Sequence, residues 1–192
     1  MESKLLTKSQ YRIGLIGSAG TGKSSLAVAL SKKFEMPFLA SKEITLDILR
    51  KDGYDYASGI QVERFLAQGG RQDMIFKRTV GIQKKHESFV TDRTVIDVVA
   101  YVIAELHACD PEKVTKMMTE CQEQVRMYTH LIFCPWGVQP IGNNKLRTLN
   151  PWYQFVIHSL GLSILNSWGV DYYVLQESDT ENRAEEVLKY VL

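Results

Sequence analysis

Short apolar runs alternate along this chain with longer stretches whose apolar residues recur every three or four positions. Tyr11 to Gly17, Pro37 to Ala40, Ser88 to Thr91, Leu131 to Cys134 and Asp171 to Leu175 have strand length and lie between turn-forming residues. Helical spacing fills the intervals. Leu26, Ala29, Leu30 and Phe34 give the stretch from Ser24 to Phe34 one apolar face, and Glu43 to Lys51 reads as a second helix closed by Gly53. Gln61 to Glu87 is a long helical stretch that Gly69-Gly70 bends or breaks. Thr94 to His107 is the next apolar-faced helix. Asp110-Pro111 and Asn150-Pro151 mark two further starts, polar cap then proline, and Gly169 closes the second. Ser178 with Glu181 predicts a capping box for the last helix. Strands alternating with helices in this way predict an α/β fold around a mostly parallel five-stranded sheet.

Composition narrows this picture. With 192 residues, 45% of them apolar and 23% charged, the chain is expected to be one globular domain, residues 1–192. A net charge of +1 gives no global field for nucleic acid, although a local basic patch stays open. Cys109, Cys121 and Cys134 are scattered and odd in number, which excludes a disulfide framework and a zinc site. The N-terminal MESKLLTKSQ is polar, and no run approaches the ~18 apolar residues of a membrane span. No membrane partner is expected, and the expected location is the cytoplasm. His86, His107, His130 and His158 have no metal-ligand spacing.

The residues with the clearest chemistry are Gly17-Ser18-Ala19-Gly20-Thr21-Gly22-Lys23-Ser24. They fit G-x-x-x-x-G-K-[ST] at every constrained position, between an apolar strand and an amphipathic helix. Glycines let the backbone wrap so that several N–H groups meet one anion, and the helix N-terminus adds its partial positive charge. Lys23 is expected to bridge the β- and γ-phosphates of ATP and Ser24 to hold Mg²⁺, with Ser25 also among the residues expected to bind the nucleotide. No guanine-reading NKxD-type signature follows a late strand, and the chain has no room for a second motor domain.

Asp92 ends a buried strand, where open α/β sheets bind ligands. Its carboxylate can support Mg²⁺, take a proton from an attacking hydroxyl, or simply cap the next helix. Arg93 offers a fork for phosphate or an ordinary surface ion pair. Glu43 is the competing base, or a plain first-turn glutamate.

Asp92-Arg93, Asp97 and Ala100-Tyr101 form a D-R-x3-D-x2-A-Y stretch. It resembles that of the nicotinamide-riboside-kinase-like P-loop ATPases, small kinases related to nucleoside and nucleotide kinases and common in bacteriophages. Phe65-Leu66 through Arg71-Gln72 resembles the family's helix carrying a glutamine that faces the acceptor, Arg147-Thr148 its lid, and Arg183 an arginine early in its last helix. The resemblance implies a P-loop kinase with a lid at about residues 137–150, Arg147 closing over the transferring phosphoryl group and Arg183 at the nucleotide. The chain departs from the family where Glu43 is followed by Ile44, Thr45 and Leu46 rather than a nearby arginine. It departs again where Asn143-Asn144 and Lys145 replace the lid's acidic-glycine pair.

The implied acceptor is of nucleotide type, with 5-hydroxymethyluracil in phage DNA as the specific expectation, which would put the chain in the host cytoplasm. The alternatives are a free nucleoside, a deoxynucleoside monophosphate or nicotinamide riboside, and, in another class, an ATP-dependent switch without an acceptor. Arg64, Arg71, Arg78 and Lys85, with Lys77 and Lys84, would form a basic stripe on an unbroken helix, as a phosphate contact or a solvated face. Trp136 and Trp152 flank the expected lid, for packing or for stacking on a base.

Overall fold

A computed structural model of the chain describes residues 11–51, 72–108, 110–138 and 150–192. At its centre is β1 (Arg12–Ile16), whose successive residues serve opposite layers. Ile13 and Leu15 enter one apolar cluster and Ile16 the other, the alternation a pleated strand imposes. Strand β2 (Phe38–Leu39), β3 (Phe89–Thr91), β4 (His130–Phe133) and β5 (Tyr173–Val174) complete a five-stranded sheet in the order β2-β3-β1-β4-β5. Every pairing is parallel, with Gly14 opposite both Thr91 and Leu131. Helices cover both faces, so the central strands are apolar on both sides.

On one face lie α1 (Lys23–Phe34) and the last helix, α7 (Thr180–Val191), sharing a core of Leu26, Leu30, Ala184 and Val187 with Ile13, Leu15 and Ile132. On the other lie α3 (Gln72–Gln83), α4 (Val95–Leu106), α5 (Pro111–Gln124) and α6 (Pro151–Ser167), around Ile16, Phe89, Phe133 and the buried side of α4. Helix α2 (Ser41–Lys51) follows β2 directly.

Three boundaries differ from the sequence reading, each for a physical reason. Helix α2 begins at Ser41, before Glu43, because the Ser41 N–H is capped from a distant strand by Asp92 Oδ1 at 2.8 Å. Helix α3 ends at Gln83 rather than Glu87, so Lys84 and Lys85 lie past its end, and Arg78 is ion-paired with Asp47. The last helix is capped by Asp179, which accepts from the N–H groups of Glu181 and Asn182 at 2.9 and 3.2 Å, not by Ser178. Gly53, Arg64 to Arg71, Cys109, Asn143 to Lys145 and Arg147 lie outside the described residues, and with them most of the expected lid and two of the six residues of the basic stripe, Arg64 and Arg71.

Candidate active site

The loop between β1 and α1 wraps back on itself. Gly17, Gly20 and Gly22 take φ of 142°, 86° and 82°, a region that suits residues without a Cβ. At Gly17 a Cβ would also meet the Cys134 carbonyl oxygen at 2.5 Å. Helices α4, α5, α6 and α7 are capped by the side chains of Thr94, Asp110, Asn150 and Asp179, whereas α1 starts at Gly22 with no side-chain cap and no acidic residue in its first turn. Its leading amides are thus left for an anion, reinforced by the positive end of the helix.

Within the loop, the Lys23 ammonium donates to the carbonyls of Gly17 and Ser18, the latter at 2.6 Å. Enclosure in the protein lowers the pKa of Lys23, and the nearby Asp97 carboxylate opposes that shift. The Thr21 hydroxyl donates to the Ser18 carbonyl at 3.0 Å, and Ser18 Oγ is buried without a partner. Ser24 and Ser25 are exposed at the start of α1.

Asp92 is 5% exposed and does not cap the helix after it, a role held by Thr94. Its Oδ2 accepts from the Ser24 hydroxyl at 2.6 Å and its Oδ1 from the Ser41 N–H, joining β3, the loop and the start of α2. The segment that presents Asp92 and Arg93 is fixed from beneath. The Gln83 amide donates to Thr91 Oγ1 and to the Arg93 carbonyl at 3.4 and 3.3 Å, while the Tyr128 hydroxyl donates to Gln83 Oε1 at 2.6 Å.

Asp97 is the site residue that sequence reasoning left without a role. Buried in α4, its Oδ1 accepts the Gly17 N–H at 2.9 Å and its Oδ2 accepts the N–H and hydroxyl of Thr94 at 2.8 and 2.9 Å. Burial raises its pKa, against the pull of Lys23 and of the N–H groups of Thr94 and Gly17. Its signal was the T-x-x-D capping box from Thr94 to Asp97; the second bond, across 80 positions, has no local signature. Arg93 lies over the Tyr101 ring, 5.1 Å from its centroid, and the Ala19 amide acts on the Tyr101 hydroxyl.

Glu43 is exposed in the first turn of α2, two residues from the Ser41 N–H that Asp92 holds. Arg183 is 1% exposed and approaches the loop from behind, its Nη1 donating to the Thr21 carbonyl at 2.8 Å and its Nε to the Glu177 carbonyl at 2.7 Å. Trp136 packs edge-on to Phe155, and Trp152 is 70% exposed rather than packed.

An AAA domain model matches residues 12–183, from the first strand to the last helix. The chain belongs to the AAA domain family. Among solved structures, NadR in complex with NR has a TM-score of 0.68 at 12% identity, over 95% of this chain and 50% of that one. Deoxyadenosine kinase from M. mycoides has a TM-score of 0.66 at 13% identity, over 94% and 97% of the two chains. Shikimate kinase from Acinetobacter baumannii has a TM-score of 0.62 at 14% identity, over 96% and 94%. This AAA domain therefore spans about half the length of the NadR chain and nearly all of the two small kinases. A search of curated protein sequences finds no match. The fold is that of the P-loop nucleoside- and nucleotide-kinase-like proteins, with an all-parallel sheet flanked, among the described residues, by seven helices. No helix among the described residues is long and apolar enough to cross a membrane.

Proposed function

We propose that this AAA domain is a kinase that moves the terminal phosphoryl group of ATP to a hydroxyl on a nucleotide-type acceptor. One observation carries the reading: Asp92 ties Ser24 of the phosphate loop to the N-terminus of α2, the helix whose first turn carries Glu43. A nucleotide switch needs the cradle alone; a kinase needs a second set of groups next to it. The likeness to two small kinases, and to NadR holding NR, supports the same reading.

In this reading Gly17 to Ser25 and the α1 amides bind the triphosphate, and Lys23 exchanges its bonds to the Gly17 and Ser18 carbonyls for phosphate oxygens. Phosphoryl transfer spreads charge over the equatorial oxygens, so most of the catalytic work is positioning and electrostatic stabilisation, here by Lys23, Arg93 and the lid residue Arg147. Arg183 acts on the nucleotide through the Thr21 carbonyl that it holds. The Ser24 hydroxyl and the Asp92 carboxylate are hard oxygen donors in contact, a donor set that fits Mg²⁺. Ser24 and Asp92 would hold that ion, which supplies neutralisation of the phosphate charge. That contact supports a reading in which Asp92 serves the metal and Glu43 is the base.

The finer proposal for the acceptor is 5-hydroxymethyluracil within DNA, with free nucleosides, deoxynucleoside monophosphates and nicotinamide riboside as alternatives. Incubation with labelled ATP, Mg²⁺ and each acceptor tests it. Label in 5-hydroxymethyluracil-containing DNA supports the DNA version, and label in free nucleosides alone dismisses it. Slow hydrolysis with label in no acceptor returns the chain to the switch class.

A further inference from the structure

On α4, Asp97, Tyr101 and Glu105 stand at i, i+4 and i+8 and so form one stripe, about 12 Å from end to end at the rise of an α-helix. The near end is the cradle, through Asp97 and the Gly17 N–H. Midway, Tyr101 lies under Arg93, and the charge of Arg93 also acts on Glu105. At the far end Glu105 Oε1 accepts from the Tyr153 hydroxyl of α6 at 3.1 Å, and Oε2 from the Gln72 amide of α3 at 3.4 Å.

Two features give this far end a ligand chemistry. The other amide atom of Gln72, Oε1, is buried with no hydrogen-bond partner, on a side chain 4% exposed. A buried acceptor without a donor is costly, and a ligand N–H would satisfy it. Beside the carboxylate, the rings of Tyr101 and Tyr153 lie 6.2 Å apart and tilted by 47°, so that each offers an aromatic face near two hydrogen-bond acceptors. Acceptor groups beside aromatic faces suit a planar heterocycle that presents N–H donors, and the Glu105 charge disfavours an anion.

We infer that Glu105, held by Tyr153 and Gln72 at the far end of the α4 stripe, selects the phosphoryl acceptor by accepting a hydrogen bond from an N–H of a planar heterocycle. The inference rests on the kinase reading for its word "acceptor", but its binding chemistry is separable. Desolvation raises the Glu105 pKa, against the hydrogen bonds from Tyr153 and Gln72 and the charge of Arg93.

The test uses the full chain and measures calorimetric binding and label transfer from ATP in parallel. The probes are 5-hydroxymethyl-2′-deoxyuridine, its N3-methyl derivative, and shikimate as an anionic control. The wild type is expected to bind the N3–H compound about tenfold to a hundredfold more tightly than the N3-methyl compound, the range for a hydrogen bond to a charged group. Glu105→Leu should abolish that preference while ATP affinity stays within about twofold. Glu105→Gln, which keeps the shape and a carbonyl acceptor, and Tyr153→Phe, which removes one hydroxyl, should each reduce the preference severalfold and guard against a folding defect in the leucine variant. Equal binding of the two nucleosides by the wild type, an unchanged preference in all three variants, a preference for shikimate, or no binding of any probe would overturn the inference. A preference that depends on Glu105 with no label transferred would leave the selection standing and dismiss the kinase reading instead.

Discussion

Lys23, Asp92 and Asp97 meet the same loop, yet each should fail in its own way when altered. Lys23 carries the positive charge that faces the loop carbonyls, so Lys23→Ala should abolish phosphoryl transfer to any acceptor with little change in fold; retained turnover would contradict the cradle assignment. Asp92→Asn removes charge from the contact with Ser24 and should lower kcat by about 10²–10⁴, the range for a lost acid–base or metal-supporting group. Comparison with Glu43→Gln by single-turnover assay separates the two carboxylates: a similar loss with a Mg²⁺ dependence altered only in the Asp92 variant matches the roles assigned above. A wild-type rate for Glu43→Gln would return the base to Asp92. Asp97→Ala is different in kind. It leaves the N–H groups of Gly17 and Thr94 buried without their acceptor, which should cost about 2–4 kcal/mol of stability in urea unfolding. Stability within about 0.5 kcal/mol of wild type would show that the loop does not depend on this bond.

Elements were legible in the sequence wherever their cause is local. Five strands, the loop glycines and the Asp110-Pro111 and Asn150-Pro151 starts follow from periodicity and capping chemistry within a few residues of each other. Boundaries failed where the deciding partner is distant. Ser41 opens α2 because Asp92 reaches it across 51 positions, and Gln83 closes α3 while its side chain serves Thr91 and Tyr128. The last helix failed for a nearer reason, since Ser178 and Asp179 can both cap and the carboxylate takes two amides. The same contrast divides the site. The phosphate loop is contiguous and could be read directly, whereas the alignment of Asp97, Tyr101 and Glu105 on α4 gains meaning only from Gly17, Arg93 and Tyr153 on other elements. At this scale the junction of β1 with the loop is the sharpest test. Gly17→Ala puts a Cβ at a φ of 142° and against the Cys134 carbonyl, so it should remove nucleotide binding in a calorimeter even though Lys23 and Ser24 are retained. Unchanged affinity would mean that the strand–loop turn does not shape the cradle.

At the scale of the whole molecule, two imidazoles set how the fold responds to mild acid. His158 of α6 lies against Phe133 and Phe155, and its Nδ1 receives the Trp136 N–H at 3.3 Å, which requires the neutral ring with its proton on Nε2. His130, at the start of β4, sits between the rings of Tyr11 and Tyr190. Burial depresses both pKa values below the ordinary 6.5. The unfolded chain therefore takes up protons at a higher pH than the folded one. The stability these groups contribute is complete above about 6.5 and is lost progressively as the pH falls toward their folded values. Asp97 and Glu105 act in the opposite sense, because burial raises their pKa and the folded chain binds their protons more readily than the unfolded one. The net pH profile is thus a poor test, and the difference between variants is a good one. In a double variant, His130→Gln and His158→Gln, the amides retain hydrogen-bonding groups and cannot titrate, so its Tm should gain on that of the wild type as the pH is lowered from about 7 to 5.5. Thermal unfolding at constant ionic strength measures it, and parallel curves across that interval would show that neither imidazole is held neutral by the fold.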